Sequence, residues 1–382
     1  MKGKRMESGM YGRAIRGAIV GYGFIASQGH VPGYAECNRH KNRVEIVAVA
    51  DGCEARRRRV KEAFPAATVH DDYRRMLDKH AGELDFVDIA VPPAYHAEIA
   101  RAAVERGLHV LCEKPLTTNL ADAISLTWKA RKYRRVLFPC HNYRHAPSVR
   151  AVREILYEGV IGSVQSVTQQ TFRPTHARGV PEWRPDWRRE LAIAGGGILM
   201  DHGSHTLYLA FEWLGGYPDA VSARAYALDG FDTEDNVSGT FRYPKGIAHC
   251  TLSWTAGARK VLYTLHGTKG AIIIDDDAIR VMLRKRTDRL PARLAQTNGE
   301  ITTDSRWNDA SHKEWFADMF ADFVAAIDQD AYVGKDASDA VECMNAIEAC
   351  YASARGDGRE VCIERPSALA DIARGQLLAR QA

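Results

Sequence analysis

Residues 14–26 read AIRGAIVGYGFIA. The apolar run Ala18-Ile19-Val20 leads directly into Gly21-x-Gly23-x-x-Ala26. That order predicts a strand, a tight glycine turn and the start of a helix, and each small residue has a physical job in a dinucleotide site. Gly21 permits a turn that no side chain would fit. Gly23 lets the backbone approach a pyrophosphate closely, and Ala26 keeps the helix tight against the strand. The first N–H groups of that helix have no partner within it, and its dipole favours an anion there. Alone, three small residues at this spacing are a weak signal, because an ordinary strand-turn-helix reads the same way.

The next stretch sharpens the reading. Residues 44–50, VEIVAVA, form a second β-rich run that ends at Asp51. An acidic residue at that strand tip can accept hydrogen bonds from both ribose hydroxyls of an adenosine, and it repels the extra phosphate of NADP. Asp51 lies 28 residues after Gly23, beyond the usual ~20. The excess fits a longer first helix and loop, with His30, Pro32 and Gly33 breaking the pattern. Arg56 to Arg59 read either as a holder of a 2′-phosphate or as the solvated face of the next helix. The solvated face is preferred, so the cofactor is expected to be NAD rather than NADP.

Strand and helix patterns alternate through the first 140 or so residues. Helices are expected over 53–64, 72–79, 94–106 and 120–132, and strands over 85–91, 109–112 and 136–140. Such alternation means right-handed crossovers and a parallel sheet, with ligands beyond the carboxyl ends of its strands. From Gly162 the texture changes to successive strands over 164–172, 220–227, 236–242, 247–254, 261–266 and 271–275. Turns such as Tyr243-Pro244-Lys245-Gly246 separate several of them, which suits an antiparallel sheet. Helix patterns over 147–158, 203–214, 312–327 and 337–355 flank it. The fold class is therefore α/β: a Rossmann doubly wound parallel sheet over residues 1–141, then an α+β domain over 142–382. The segment 284–305 is polar and reads as a loop.

The chain has 382 residues, 46% hydrophobic and 26% charged, with a net charge of +4. These are the proportions of a soluble globular protein. So small a charge, without arginine and aromatic residues interleaved along one stripe, gives no reason to invoke nucleic acid. The eight cysteines show no CxxC spacing, so neither a zinc knuckle nor a redox dithiol is indicated; Asp201 and His205, four apart, could also bind a metal, but companion ligands are missing and no metal is expected. No stretch approaches the ~20 apolar residues of a membrane span. The basic N-terminus lacks the apolar segment of a signal peptide, so the expected place is the cytoplasm, with no membrane partner.

Two constellations carry chemistry. In Cys112-Glu113-Lys114-Pro115 a lysine stands at a strand end near the expected cofactor position, where a positive ring and low-dielectric walls can shift a pKa. Glu113 can bond the cofactor ribose or steady Lys114. A surface turn with an ion pair is the plainer reading of the same residues. In the run Gly195 to His205, Asp201 and His205 are four apart and share one face if the stretch is helical. An Asp beside a His orients the ring and makes a general acid/base near neutral pH. A capping Asp followed by a structural His is the alternative.

The ordered set GYGFIA, Asp51, Pro92-Pro93…His96, Glu113-Lys114-Pro115, Asn142-Tyr143-Arg144…Pro147, Trp187-Arg188 and Gly195 to His205 resembles the glucose-fructose oxidoreductase / inositol dehydrogenase / rhizopine-catabolism (Gfo/Idh/MocA) family over nearly the whole chain. The resemblance implies a Rossmann domain, a second domain with a large, mostly antiparallel sheet, and a homodimer or homotetramer built on that sheet. It also implies NAD(P)-dependent oxidation of a sugar or cyclitol hydroxyl, or the reverse. By that similarity Lys114, Asp201 and His205 form the catalytic trio. The cofactor would contact Gly21, Gly23, Phe24, Ile25, Asp51, Pro92, His96, Glu113 and Asn142. Arg144, Trp187, Arg188 and His202 would face the substrate. His205 is read as the general base with Asp201 orienting it, and Lys114 as stabilising the alkoxide; the two roles can be exchanged. His202 departs from the family pattern, where an apolar or small residue is frequent. The five arginines between 173 and 189, with Trp183 and Trp187, suit recognition of a negatively charged sugar, or form a solvated lid.

Other readings are a reductase of a non-sugar carbonyl of the diketone, dihydrodiol or tetrapyrrole type, a redox glycosidase or lyase with tightly bound NAD, and a regulatory protein that senses NAD without turnover.

Overall fold

The computed structural model describes residues 14–39, 44–80, 82–284, 290–307 and 311–365. The basic N-terminal stretch lies outside them, as do positions 285–289 of the segment read as a polar loop.

Six strands form the first sheet: β1 (Ile15–Val20), β2 (Val44–Ala50), β3 (Thr68–His70), β4 (Phe86–Ile89), β5 (His109–Cys112) and β6 (Leu137–Pro139). All pair in parallel, in the order β3-β2-β1-β4-β5-β6. That is the doubly wound order, in which the chain reverses direction beside β1 and opens a crevice at the strands' carboxyl ends. β1, β4 and β5 are almost wholly buried, as expected for strands covered on both faces. β3 is three residues long, too short for any periodicity to betray it.

The second sheet has nine strands: β7 (Val164–Phe172), β8 (Ala220–Tyr226), β9 (Asn236–Tyr243), β10 (Gly246–Ser253), β11 (Lys260–Gly267), β12 (Gly270–Asp275), β13 (Ala278–Leu283), β14 (Glu300–Thr302) and β15 (Val361–Cys362). Their order is β14-β13-β12-β11-β7-β10-β9-β8-β15. Every pairing is antiparallel except β7 with β10. The sequence missed β13, β14 and β15, and β14 lies inside the segment read as a loop. Residues of β11 alternate between buried and half-exposed, so one face packs on helices and the other stays open.

Two helices tie the halves together. The helix Lys335–Arg355 packs against β8, against the helix Leu120–Lys132 and against the helix Ile198–Leu214. The helix Lys313–Asp328 returns to the first sheet, where Phe316, Phe320 and Phe323 are fully buried with Ile19, Tyr34 and Phe86. Tyr34 and Phe320 stack at 4.0 Å. Burying each such ring contributes about 1.5–3 kcal/mol, so residues after the second sheet help hold up the first. His30 and Gly33 do not break the first helix. A π-helical turn, Ala26–His30, runs on into Val31–Arg39.

Candidate active site

One cleft of about 810 Å³ lies along the carboxyl ends of the first sheet and against the second domain. The glycine turn forms its floor. Gly21 has φ +93°, and a Cβ there would sit 2.6 Å from the Val91 side chain. A Cβ at Gly23 would meet nothing within 4 Å, so its backbone stays open to the cleft. Asp51 follows β2, and its carboxylate accepts from Tyr22 N–H and from Cys53 N–H, both at 2.7 Å. The open backbone and the anchored acid fit a dinucleotide, whose pyrophosphate the turn would take and whose ribose hydroxyls the remaining Asp51 lone pairs would meet. Phe24, Ile25, Pro92, Glu113 and Asn142 line the same cleft.

His96 does not line it. It is buried, with Nδ1 2.8 Å from Pro115 O and Nε2 2.7 Å from Val91 O. It braces the loops after β4 and β5 from behind, which corrects its reading as a cofactor contact. The Arg56–Arg59 reading also needs correction at one residue. Arg56 is buried beneath the turn, donating from Nε to Tyr22 O at 2.6 Å, while Arg58 and Arg59 pair with Glu54 and Glu182 at the surface.

Beneath Glu113 lies a charged cluster that sequence reasoning missed. His30 is fully buried between two carboxylates, with Nδ1 2.8 Å from Asp88 and Nε2 3.0 Å from Glu113. Tyr34 donates to the same Asp88 oxygen at 2.9 Å. Burial opposes the charge on His30, but the two carboxylates prevail and raise its pKa to about 10. Burial likewise opposes ionisation of Glu113, and His30 and Lys114 outweigh it and lower its pKa. The other Glu113 oxygen accepts Lys114 N–H at 3.0 Å, so the cluster fixes the turn that presents Lys114. The signal in the sequence was Asp88, an acid inside an apolar strand. His30, Glu113 and Cys140 also bring ligand-type atoms within 4.8 Å of one another, yet both nitrogens of His30 are already engaged by carboxylates.

Across the cleft stands the helix Ile198–Leu214. Its entry is clamped by Glu234, which accepts from Gly197 N–H at 2.8 Å and Leu199 N–H at 2.9 Å. A Cβ at Gly197 would lie 1.7 Å from Glu234 O, so this approach requires glycine. The clamp fixes the first turns, where Asp201 and His205 sit.

Asp201 and His205 lie on that helix as the spacing predicts, but they do not pair. The Asp201 carboxylate is 2.8 Å from Lys114 Nζ, which also donates to Asp201 O at 2.8 Å. Arg188 Nε and His202 Nδ1 approach its other oxygen at 3.5 and 3.2 Å without hydrogen-bond alignment. Burial disfavours the carboxylate, but Lys114, Arg188 and His202 overcome that and hold its pKa well below the ordinary range. Asp201 is therefore the counter-ion of Lys114, which corrects its reading as the group that orients His205.

Tyr208 orients His205. The Tyr208 hydroxyl lies 2.7 Å from His205 Nδ1 and accepts Tyr143 N–H at 3.2 Å. The ring of His205 stacks on Tyr143 at 3.7 Å and 13°. Burial, with Lys114 and His202 nearby, keeps its pKa well below the usual value, so the imidazole is neutral. Tyr208 is itself fully buried. If its oxygen accepted from both sides, its proton would have no acceptor, at a cost of about 1–3 kcal/mol. The better arrangement has Tyr208 donating to Nδ1, which leaves the proton on Nε2, pointing a donor at the cleft.

Of the residues assigned to substrate, Trp187, Arg188 and His202 line the cleft. Arg188 lies over Trp187 at 4.2 Å. Arg144 does not line it. It is buried against Asp336 and Asp339, and its guanidinium lies over Tyr208 at 5.1 Å. It belongs to the ion cluster behind the site, a correction to its assignment. Arg173, one of the five arginines read as suited to a negatively charged sugar, and Tyr143 of the Asn142-Tyr143-Arg144 motif also line the cleft, as does Arg259, which the sequence did not single out.

Residues 15–141 match the GFO_IDH_MocA oxidoreductase family, described as having an NAD-binding Rossmann fold. Residues 149–273 match the C-terminal domain of the same GFO/IDH/MocA group. A D-glucoside 3-dehydrogenase of Escherichia coli K12 is 34% identical over 229 residues, 60% of this chain and 62% of that protein. A dTDP-3,4-didehydro-2,6-dideoxy-alpha-D-glucose 3-reductase of Saccharopolyspora spinosa is 30% identical over 60% of this chain and 67% of that protein. The match to the first therefore spans less than two thirds of its length. A levoglucosan dehydrogenase solved with NADH and levoglucosan superposes with a TM-score of 0.79 at 22% identity, covering 92% of this chain and all of that one, a likeness of fold.

Proposed function

Because the chain belongs to the GFO/IDH/MocA oxidoreductase family, with its NAD-binding Rossmann domain, we propose that it is an NAD-dependent dehydrogenase or reductase acting between a secondary hydroxyl and a ketone of a sugar derivative. The observation that carries this is the meeting of Lys114, Asp201 and His205 in the same cleft as the Gly21–Gly23 turn.

Nicotinamide chemistry supplies the hydride transfer itself. The side chains handle the oxygen on the reacting carbon. The neutral His205 donates to it from Nε2, and Lys114 donates with the N–H that Asp201 does not engage. Both hydrogen bonds strengthen as negative charge grows on that oxygen, which is where stabilisation accelerates the reaction. Lys114 then moves the proton: the ammonium gives it to the alkoxide in reduction, and the amine takes it from the hydroxyl in oxidation. The donor tautomer of His205 favours this assignment over His205 as base. Asp51 favours NAD over NADP, since its carboxylate would face a 2′-phosphate.

We include in this reading a cytoplasmic homo-oligomer joined through the open face of the second sheet. Among the described residues, no helix is long and apolar enough to cross a membrane.

The test is a panel of glycosides, anhydro-sugars, hexoses and inositols with NAD and NADP, following reduced cofactor. Lys114→Met is expected to lower kcat by roughly 10²–10⁴ while NADH titration still shows binding. Full activity in that variant overturns the reading. So does catalysis of bond cleavage without net NADH, which indicates a glycosidase or lyase instead.

A further inference from the structure

Two arginines line the cleft and, among the described residues, have no carboxylate partner. Phe172 and Lys260 are partners at the ends of β7 and β11, so Arg173 and Arg259 are the next opposed pair. Like charges directly opposite on neighbouring strands destabilise a sheet. Among the described residues neither makes an ion pair. Arg173 spends Nη1 on the carbonyls of Phe172 and Lys260. It is 4% exposed, and its Nη2 is buried with no hydrogen-bond partner. Arg259 donates from Nε and Nη2 to Trp307 O. Burial and the charge of Arg173 both lower its pKa.

Their place is next to the reacting groups. Trp307, which Arg259 holds, packs edge-on against Tyr143 at 5.1 Å, and Tyr143 stacks on His205. Burial and the charge of Arg173 are among the effects that depress His202 to a pKa of about 4 despite Asp201. Arg188 Nε, on the same wall, is a second buried donor without a hydrogen bond among the described residues. Asp201 Oδ2 lies 3.5 Å from that nitrogen, a charge contact without hydrogen-bond alignment. Buried guanidinium donors left unpaired are costly, and a planar fork matches an oxyanion in two-point contact.

We propose that Arg173 and Arg259 form an oxyanion subsite, and that the substrate is an acidic sugar derivative whose anionic group lies on this pair while its hydroxyl-bearing carbon faces Lys114 and His205. The anion is a carboxylate, as in a uronic acid, or a phosphate ester. This rests on the dehydrogenase reading and narrows its substrate class. The pair completes the positive wall, and the bound anion neutralises two opposed charges and supplies acceptors to donors that the protein leaves unpaired.

The experiment compares matched sugars with NAD: a neutral glycoside, its uronate and its 6-phosphate. The expected result is a kcat/KM for one acidic member roughly tenfold to a hundredfold above the neutral one, and which acid wins identifies the anion. Arg259→Gln and Arg173→Gln should each erase most of that preference while NADH titration stays as in the parent chain. Thermal stabilisation by the favoured acidic sugar, read without turnover, should weaken in the same variants, and should fall as salt rises in the parent. A neutral sugar preferred over both acids overturns the subsite while the dehydrogenase stands. Turnover of none of the three classes, or of any inositol or hexose, overturns the dehydrogenase reading itself.

Discussion

Replacing His30 by Gln tests whether the buried charge cluster builds the site from below. The change keeps the volume and some hydrogen bonding, but it removes the cation between Asp88 and Glu113, which are 0% and 8% exposed. Breaking a buried pair by deleting one partner costs about 3–5 kcal/mol. With about 2.1 cal/mol/K of unfolding entropy per residue, a chain this long loses roughly 4–6 °C of melting temperature. The pH dependence separates charge from packing. His30 ionises at about 10 in the fold, against roughly 6.5 in an unfolded chain. A raised pKa contributes stability that is fully present below the unfolded value and is lost as pH climbs through the folded one. The charge is worth up to roughly 5 kcal/mol at neutral pH or below. Calorimetric melts of the parent and of His30→Gln from pH 6 upward should therefore differ most at the acid end and converge towards pH 10. Glu113 also holds Lys114 N–H, so kcat should fall in the variant even where the protein remains folded. A gap between the two melting curves that stays constant with pH would refute the charge argument, because lost packing does not titrate. An unchanged kcat in the folded variant would sever the cluster from the site.

Two further outcomes are expected. Asp51→Ser removes the carboxylate that faces a 2′-phosphate, and the ratio of kcat/KM with NADP to that with NAD should rise by roughly tenfold or more; a ratio that does not move places the discrimination elsewhere. Tyr208→Phe deletes the hydroxyl beside His205 Nδ1, which frees both ring tautomers and should lower kcat roughly tenfold with cofactor affinity intact; kcat equal to the parent's removes the tautomer assignment.

The first sheet was legible because its signals are local. An apolar run ending in Gly21-x-Gly23 and another ending in Asp51 each specify a strand together with the turn that closes it. The helix Leu120–Lys132 emerged with the bounds its sequence gives. β14 pairs only Glu300–Thr302 with Ala278–Arg280, and no period shows in three residues. The helix Lys313–Asp328 was legible as a helix, but not its address. Nothing in its own pattern says that its phenylalanines belong under the first sheet. Arg144 shows the same limit at the site. An arginine next to a site motif looks available for substrate until Asp336 and Asp339, almost 200 positions on, claim it.

Asp201 and His205 carry this furthest. A four-residue spacing fixes a shared helical face, but it does not fix which neighbour each side chain takes. Lys114 reaches Asp201 from 87 residues away, and an ammonium is a stronger partner for a buried carboxylate than a neutral imidazole. His205, released from the acid, is taken by Tyr208. The two outcomes change the chemistry together. An imidazole bonded to Asp201 would be drawn towards a charged form that serves as base; held by a phenol and stacked on Tyr143, it stays neutral and offers a proton. Asp201, paired with Lys114, no longer repels an anion. In the proposed reaction the reacting carbon would thus meet a set of donors, His205 Nε2 and Lys114 Nζ, with Arg173 and Arg259 on the same cleft wall and the Asp201 carboxylate already neutralised. Such a wall is poorly matched to a neutral alcohol and well matched to an oxygen gaining negative charge, which is the asymmetry between ground state and transition state that catalysis requires.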